Sequence, residues 1–255
     1  MNDSHDTDTK SLSRTLIEAL SLELPPIAVS FVDQVPAGVP AYRGHAPAGC
    51  AFWQEAAAGA FATSPGDHGL CAIGMYTHNL ARTPAQDAEL GAALGVFAEL
   101  GYVRAEDVPR IPVLATRPGH VVYAPLASAP VPPDVVLLFV KPSQTLILAE
   151  AAESVDGGLA PSMGRPACAV VPQVHGGGRP ALSLGCCGAR AYVDALADDT
   201  ALYALPGRRL GAYVSRIAEL ARANGVLARF HQIRRKDVAA GGSPTVAESL
   251  ARMGV

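Results

Sequence analysis

The sequence predicts an α+β protein, in which a mixed and largely antiparallel sheet packs against amphipathic helices. Two observations predict this fold class. Segments with strand composition follow one another in pairs, as antiparallel neighbours do, instead of alternating steadily with helices as in a doubly wound sheet. Other segments, at the beginning, in the middle and near the end of the chain, carry apolar residues at the spacing of one helix face.

The first half of the chain is predicted to hold three helices and three strands. The first helix, over 11–24, has leucines at every fourth position and ends at two prolines. Thr83 and Pro84 are a good N-cap and N1 pair for a later helix, which Gly101 ends. Strand composition occurs at 26–33, 112–116 and 120–126, and the alanine-rich segment 50–63 favours another helix.

The second half of the chain repeats this mixture. Strand composition occurs at 134–140, 167–174, 181–185 and 201–207. The segment HGGGR, at 175–179, joins two of these strands in a pattern typical of a hairpin. Pro142 begins a helix that extends to residue 154, and a strongly amphipathic helix over 208–224 has Gly225 as its stop.

These elements predict a single domain over residues 11–235. A polar, disordered tail is expected before it, at 1–10, and a C-terminal extension with a short helix after it, at 236–255. The glycine-rich stretch near 155–165 has the composition of a hinge.

The composition excludes several classes of protein. Of the 255 residues, 49% are hydrophobic and 17% are charged, which excludes an intrinsically disordered chain. The net charge of −3 gives no basic surplus for nucleic acid. No signal peptide is recognisable, and the longest apolar run is far shorter than the ~20 residues that span a bilayer. We therefore expect a cytoplasmic protein without nucleic-acid or membrane partners.

Five cysteines are the main candidates for functional chemistry in the sequence. Without an export signal they should remain reduced, so each serves packing, metal ligation or nucleophilic chemistry. Cys50 follows a Pro-Ala-Gly turn and precedes a predicted helix, where unpaired N–H groups favour the thiolate. Cys71 and Cys186 also stand in glycine-bearing turns, where the backbone can approach a bound group closely. Cys168 lies in an apolar run, and Cys187 should point away from a centre that its neighbour serves.

Arg190 and His68 are the remaining candidates for catalysis. Arg190 has the charge to hold an anionic substrate or to lower the pKa of a thiol, and His68 is a candidate base. Common structural roles compete with these functions, because free cysteine often packs as a small hydrophobe and arginine often forms ion pairs. The sequence has no C-x-x-C, no G-x-S-x-G to accompany its HGGG, no Walker A run and no H-E-x-x-H.

Several segments share one resemblance. They are LPPIAVSF near the start, GCAFWQEAAAG at 49–59, HGLCAIG at 68–74, GRPACAVVP at 164–172 and SLGCCGAR at 183–190. Together they resemble the uncharacterised family called domain of unknown function 169 (DUF169), and SLGC-x-G-x-R is the most specific string. The matching residues are Cys50, Cys71, Cys186 and Arg190, with Cys168 matching less closely and Cys187 at a variable position. The resemblance implies no settled reaction, but it implies that the three cysteines belong to one site.

We expect Cys50, Cys71 and Cys186, with Cys168, to hold an iron–sulfur cluster of the 4Fe–4S type. Three thiolates would leave one iron open for redox or Lewis-acid chemistry on a small molecule, whereas four favour electron transfer. The partner is accordingly a small-molecule substrate or a redox protein. The sequence leaves a mononuclear zinc or iron centre open, and it allows a homo-oligomer.

Two alternatives stay open beside this metal site. One is a metal-free enzyme with Cys186 or Cys50 as nucleophile and His68 as base. The other is a small-molecule binding domain with structural cysteines. The metal hypothesis requires cysteines that are far apart in the sequence to lie around one pocket.

Overall fold

The computed structural model describes residues 3–186 and 188–253, with side chains from residue 8 onwards. In this part of the chain, seven strands form one sheet. They are β1 (Ile27–Val32), β2 (Phe61–Thr63), β3 (His120–Pro125), β4 (Val135–Val140), β5 (Ser162–Met163), β6 (Ala181–Ser183) and β7 (Ala201–Pro206). Their order across the sheet is β2-β3-β1-β4-β7-β6-β5, and the neighbouring pairs are antiparallel except β5 and β6. The predicted α+β class is confirmed.

Helices cover both faces of this sheet. They are α1 (Asp3–Leu20), α2 (Ala51–Glu55), α3 (Ala72–Thr77), α4 (Pro84–Glu99), α5 (Pro142–Val155), α6 (Val170–Gly177), α7 (Leu210–Ala239) and α8 (Val246–Ala251). Helices α1, α5 and α7 pack on one face, whereas α2, α3 and α6 pack on the other. None of the described helices combines the length and hydropathy needed to cross a membrane.

The strands at the centre of the sheet are buried on both faces. In β4, Val135 and Leu137 belong to the core beneath α2, α3 and α6, whereas Val136 and Leu138 belong to the core beneath α1, α5 and α7. Side chains alternate between the faces of a sheet. Because apolar layers lie on both sides, the run VVLLFV shows no polar alternation.

Three predictions of secondary structure are wrong. Residues 112–116 are not a strand but a loop beside α3, where the Leu114 N–H donates to the Thr77 carbonyl at 2.9 Å. Residues 167–174 are a 3-10 turn followed by α6, so they form no hairpin with β6. The segment 50–63 holds α2 and then β2 instead of one helix, because β2 pairs with β3.

The two long helices extend beyond their predicted bounds. Residues 3–10, predicted as a disordered tail, are the first part of α1. Thr9 and Ser13 are polar but buried, so the buried face of that helix continues towards its beginning, which the leucine pattern alone did not reveal. Helix α7 passes Gly225, because Phe230 is buried further along it. The stretch near 155–165 connects α5 to β5, and its role as a hinge stays a prediction.

Candidate functional site

A cavity of about 850 Å³ lies on the side of the sheet covered by α2, α3 and α6. Its lining includes Cys50, Cys71, Cys168 and Cys186, which come from four separate segments of the chain. Helix α4 and the loop 101–111 contribute to the rest of the wall. This volume is typical of pockets that bind small molecules. The cysteines therefore share one cavity, as the metal hypothesis requires.

Two of the cysteines precede short helices. Cys50 lies directly before α2, and Cys71 lies directly before α3. The sulfur of Cys71 accepts a hydrogen bond from the Gly74 N–H at 3.3 Å, and the nearby Gly49 N–H also lowers the pKa of this thiol. A Cβ atom at Gly74 would stand only 3.0 Å from that sulfur. Glycine therefore permits the close approach that the sequence predicted around Cys71.

The other two cysteines come from the second half of the chain. Cys168 lies in the 3-10 turn Ala167–Ala169, between two fully buried alanines. The hydroxyl of Thr77, at the end of α3, is within hydrogen-bonding reach of the Cys168 sulfur. Cys186 follows β6 and is half-buried. Cys187 lies outside the described residues.

The string SLGC-x-G-x-R forms the loop that presents Cys186. The guanidinium of Arg190 donates to the carbonyl oxygens of Leu184, Leu196, Ala197 and Thr200. Gly185 has a φ of +90°, and a Cβ atom there would stand 3.0 Å from Nε of Arg190. Arg190 is absent from the cavity lining, so it positions the loop and does not reach the cavity as the predicted anion-binding group.

Burial and mutual repulsion govern the ionisation of the thiols. Burial, and next the nearby Cys71 and Cys186 thiolates, raise the pKa of Cys50 to about 12. Burial also raises the pKa of Cys71 and, with the negative charge of Cys71 added, raises the pKa of Cys168 well above its usual value. The thiols therefore influence one another's ionisation, and without a cation these three are protonated at neutral pH.

Two histidines lie close to the cysteines but do not pair with them. His68 is buried, its Nε2 atom lies 2.9 Å from the Thr63 hydroxyl, and burial lowers its pKa to about 3. It does not line the cavity. His78 does line it; burial lowers the pKa of this histidine to about 4, and its Nδ1 lies 3.0 Å from the Gly74 carbonyl oxygen. Because that carbonyl can only accept, Nδ1 carries the proton and Nε2 presents a lone pair.

Several buried polar atoms around the cysteines lack a hydrogen-bonding partner among the described residues. They include His78 Nε2, His68 Nδ1 and the hydroxyl oxygen of Tyr123. Burial raises the pKa of Tyr123, and the charges of Cys168, Cys50 and Cys71 raise it further, so this hydroxyl lies near three of the thiols. Sequence reasoning missed Tyr123, because its position in a predicted strand indicated only packing.

Charged groups occupy the exposed end of the cavity. Asp107 pairs with Arg104, at 2.7 Å, and with Arg110, at 2.9 Å. Arg165 lies over the ring of Tyr102, at 4.3 Å from its centre, and donates to the Tyr102 carbonyl at 2.6 Å. The sequence does not predict this group: Arg104, Asp107 and Arg110 are distant from the cysteines in the chain, and no pattern around Arg165, three residues before Cys168, indicates its role.

No set of three or more histidine, cysteine, aspartate or glutamate side chains in the described part of the chain is arranged to hold a metal ion. A single zinc ion requires all its donors at about 2.0–2.3 Å from one point. In a four-iron cluster each thiolate binds a different iron atom, so the sulfurs stand further apart.

The comparisons with known proteins identify a family but no activity. No curated protein and no solved structure matches the chain. The model of the family DUF169, described as uncharacterised ArCR, matches residues 15–216. This match includes the four cysteines of the cavity and Arg190. Because the match covers more than half of the sequence, the chain belongs to the DUF169 family.

Proposed function

We propose that this protein binds an iron–sulfur cluster of the 4Fe–4S type through Cys50, Cys71 and Cys186, with Cys168 as a fourth thiol. The observation that carries the proposal is the gathering of these four side chains, from four segments, around one cavity. Thiolates are the usual protein ligands of such clusters. Three further features of the site support this donor set.

The first feature is the supply of hydrogen bonds to sulfur. The N–H group of Gly74 donates to Cys71, and N–H donors of this kind tune the potential of a bound cluster. The N–H of Gly49 near Cys71 and the hydroxyl of Thr77 near Cys168 also lower the pKa values of these thiols. These donors stabilise negative charge on sulfur, which a thiol that merely packs in the core does not need.

The second feature is the raised pKa of the thiols. Burial is the main cause, and neighbouring thiolates add to it. A bound cation reverses this effect, because it attracts the negative sulfurs that otherwise repel one another. The third feature is the apolar surroundings, since Cys50, Cys168 and Cys186 pack against the core that includes Trp53.

The chemistry of the centre depends on Cys168. A cluster that is bound through three thiolates supplies an open iron that polarises a small molecule. A cluster that is bound through four thiolates supplies electron transfer. His78 lines the same cavity, and its Nε2, a buried atom without a partner among the described residues, is an acceptor for a hydrogen bond.

A metal-free cysteine nucleophile is supported less well. A thiol with a pKa of about 12, as burial gives Cys50, is almost entirely protonated at neutral pH. His68 has a pKa lowered to about 3 by burial and does not line the cavity, so it is a poor base for either thiol. On this basis, iodoacetamide should label no thiol of the metal-free folded protein markedly faster than free cysteine; rapid labelling of Cys50 or Cys186 would favour the nucleophile instead.

Metal analysis tests the cluster directly. Protein prepared without oxygen, with iron and sulfide supplied, should contain about four irons and four sulfides per chain and show a broad visible absorption. Single replacement of Cys50, Cys71 or Cys186 by Ser should remove most of the iron. Cys187→Ser is the matched control, because Cys187 is not among the proposed ligands, and this variant should keep its iron.

The same experiment decides the role of Cys168. If Cys168→Ser keeps the cluster, three thiolates suffice and one iron is open; if it loses the cluster, all four are ligands. Circular dichroism of each variant verifies that it has folded. Wild-type protein that stays free of iron, or folded serine variants that all retain it, would overturn the proposal in favour of structural cysteines.

A further inference from the structure

The cavity extends well beyond the cysteines, and its outer part is apolar. Leu94 and Phe97 of α4 line it, and both are half-buried, so the apolar face of this helix packs against the cavity instead of the sheet. Ile73 and Ile111 add to this wall. Exposed Tyr192 also lines the cavity and, with a side chain 63% exposed, lies near its opening. A ligand that fills this part needs an apolar body.

One arginine of the cavity wall is available to an anion. Three arginines and two acids, Glu89 and Asp107, line the cavity. Asp107 pairs with Arg104 and Arg110, and Glu106 lies 3.7 Å from Arg104, so the charges of these two arginines are already compensated. Arg165 forms no ion pair with any described residue, and its contacts are the ring and the carbonyl of Tyr102. Most of its N–H donors are therefore free, and their planar arrangement matches a carboxylate.

We infer that the cavity binds a small amphipathic carboxylate, with the carboxylate held by Arg165 at the opening and the apolar body lying along Leu94 and Phe97. The contact of the guanidinium with Tyr102 holds it in one orientation, which reduces the entropy lost when an anion binds. A single free guanidinium supplies one charge and one pair of parallel N–H groups, which suits a carboxylate better than a doubly charged phosphate.

This inference deepens the proposed function and rests on it for one point, namely that the apolar end of the ligand reaches the centre at the cysteines. Binding of the carboxylate itself depends only on the cavity wall. The two proposals are therefore tested on the same preparation by separate measurements.

Calorimetric titration with two matched probes, decanoate and 1-decanol, tests the inference. Decanoate should bind the wild-type protein at least roughly tenfold more tightly than decanol, since hydrogen bonds between two charged groups are stronger than those to a neutral hydroxyl. Arg165→Gln should remove this difference and leave decanol binding unchanged. For Arg165→Lys, which keeps the charge but not the planar pair of donors, the affinity for decanoate should lie between those of the wild-type and Arg165→Gln proteins.

The control is Arg117→Gln, which removes an exposed arginine that does not line the cavity. It should bind both probes as the wild-type protein does. Equal affinity for decanoate in the Arg165→Gln and wild-type proteins, or no decanoate binding at all, would overturn the inference. Tighter binding of decyl phosphate than of decanoate would also overturn it.

Iron analysis of each sample separates the two proposals. Suppose that the protein stays free of iron after iron and sulfide have been supplied, and that it binds decanoate in a way that depends on Arg165. This result supports the inference and counts against the cluster. Iron and sulfide in protein that does not bind decanoate support the cluster and defeat the inference alone.

Discussion

At the scale of single residues, Arg190 holds the site in place without lining it. Its guanidinium donates to four carbonyl oxygens on both sides of the loop that carries Cys186. Carbonyl groups without hydrogen bonds in a partly buried loop lower the stability of the fold. The Arg190 side chain supplies the hydrogen bonds that regular secondary structure would otherwise provide. The resemblance drew attention to Arg190, but its role follows from the folded loop.

We expect Arg190→Ala to lower the free energy of unfolding by about 2–4 kcal/mol, because several hydrogen bonds to a charged group are lost together. Arg190→Lys should recover little of this stability, since an ammonium group cannot reach carbonyls on both sides of the loop. Urea unfolding measures the change. Arg208→Ala is the control: Arg208 is exposed, and its loss should cost less than about 0.5 kcal/mol. Similar stability of Arg190→Ala and Arg208→Ala would show that the loop does not depend on Arg190.

The cysteines of the cavity could be predicted from the sequence better than the residues that surround them. Glycine-bearing turns and thiol chemistry are local features, so Cys50, Cys71 and Cys186 could be selected before the fold was known. Tyr123 could not, because it lies in an apolar strand and its relation to the cysteines exists only in three dimensions. Arg165 stands three residues before Cys168, but only the fold shows that it lines the cavity and contacts Tyr102.

At the scale of secondary structure, elements with clear end signals were predicted well. Helix α4 begins at the predicted N-cap, Thr83, and strands β1, β3, β4 and β7 lie within their predicted segments. The segment that became α6 was mistaken for a strand because a short apolar run fits either structure. In the fold, Val170, Val171 and Val174 share one helix face against the sheet, a spacing that eight residues do not reveal reliably.

The N-cap of α4 is expected to stabilise that helix. The hydroxyl of Thr83 accepts from the Gln86 N–H at 3.3 Å, and the Gln86 side chain accepts from the Thr83 N–H at 2.8 Å. Thr83→Ala should therefore lower the free energy of unfolding by about 1 kcal/mol, measured in urea. Thr83→Ser keeps the oxygen and should stay within a few tenths of the wild-type value. An equal loss in the Ser and Ala variants would mean that the cap does not stabilise α4.

At the scale of the whole molecule, the sheet separates two cores that are built from different kinds of residue. The core beneath α1, α5 and α7 is built from aliphatic and aromatic packing. The core on the cavity side contains, in addition, His68 and His78, whose rings lie 6.3 Å apart. Burial keeps both histidines neutral, since it lowers their pKa values to about 3 and about 4.

This arrangement predicts a stability that falls in mild acid. In the unfolded chain a histidine has a pKa near about 6.5 and takes up a proton below it, whereas His68 and His78 stay neutral in the fold. The stability that they contribute is complete above about pH 6.5 and decreases as the pH falls towards about 4, by up to about 1.4 kcal/mol per unit for each histidine.

Urea unfolding of the metal-free protein between about pH 7.5 and about pH 4.5 measures this effect. His45→Gln is the control, because it removes an exposed histidine and should leave the slope unchanged. His78→Phe should lower the slope if the variant folds, and His68→Leu provides the same test at the neighbouring position. Constant wild-type stability across this range would show that neither ring is kept neutral by the fold.

The ends of the sheet have a consequence for self-association. The outermost strands, β2 and β5, contain three and two residues, so each offers few free N–H and C=O groups to a strand of another molecule. Edges this short protect a sheet against growth by strand addition. Copies of this chain should therefore associate, where they do, through helices or loops and not by extending the sheet from one molecule into the next.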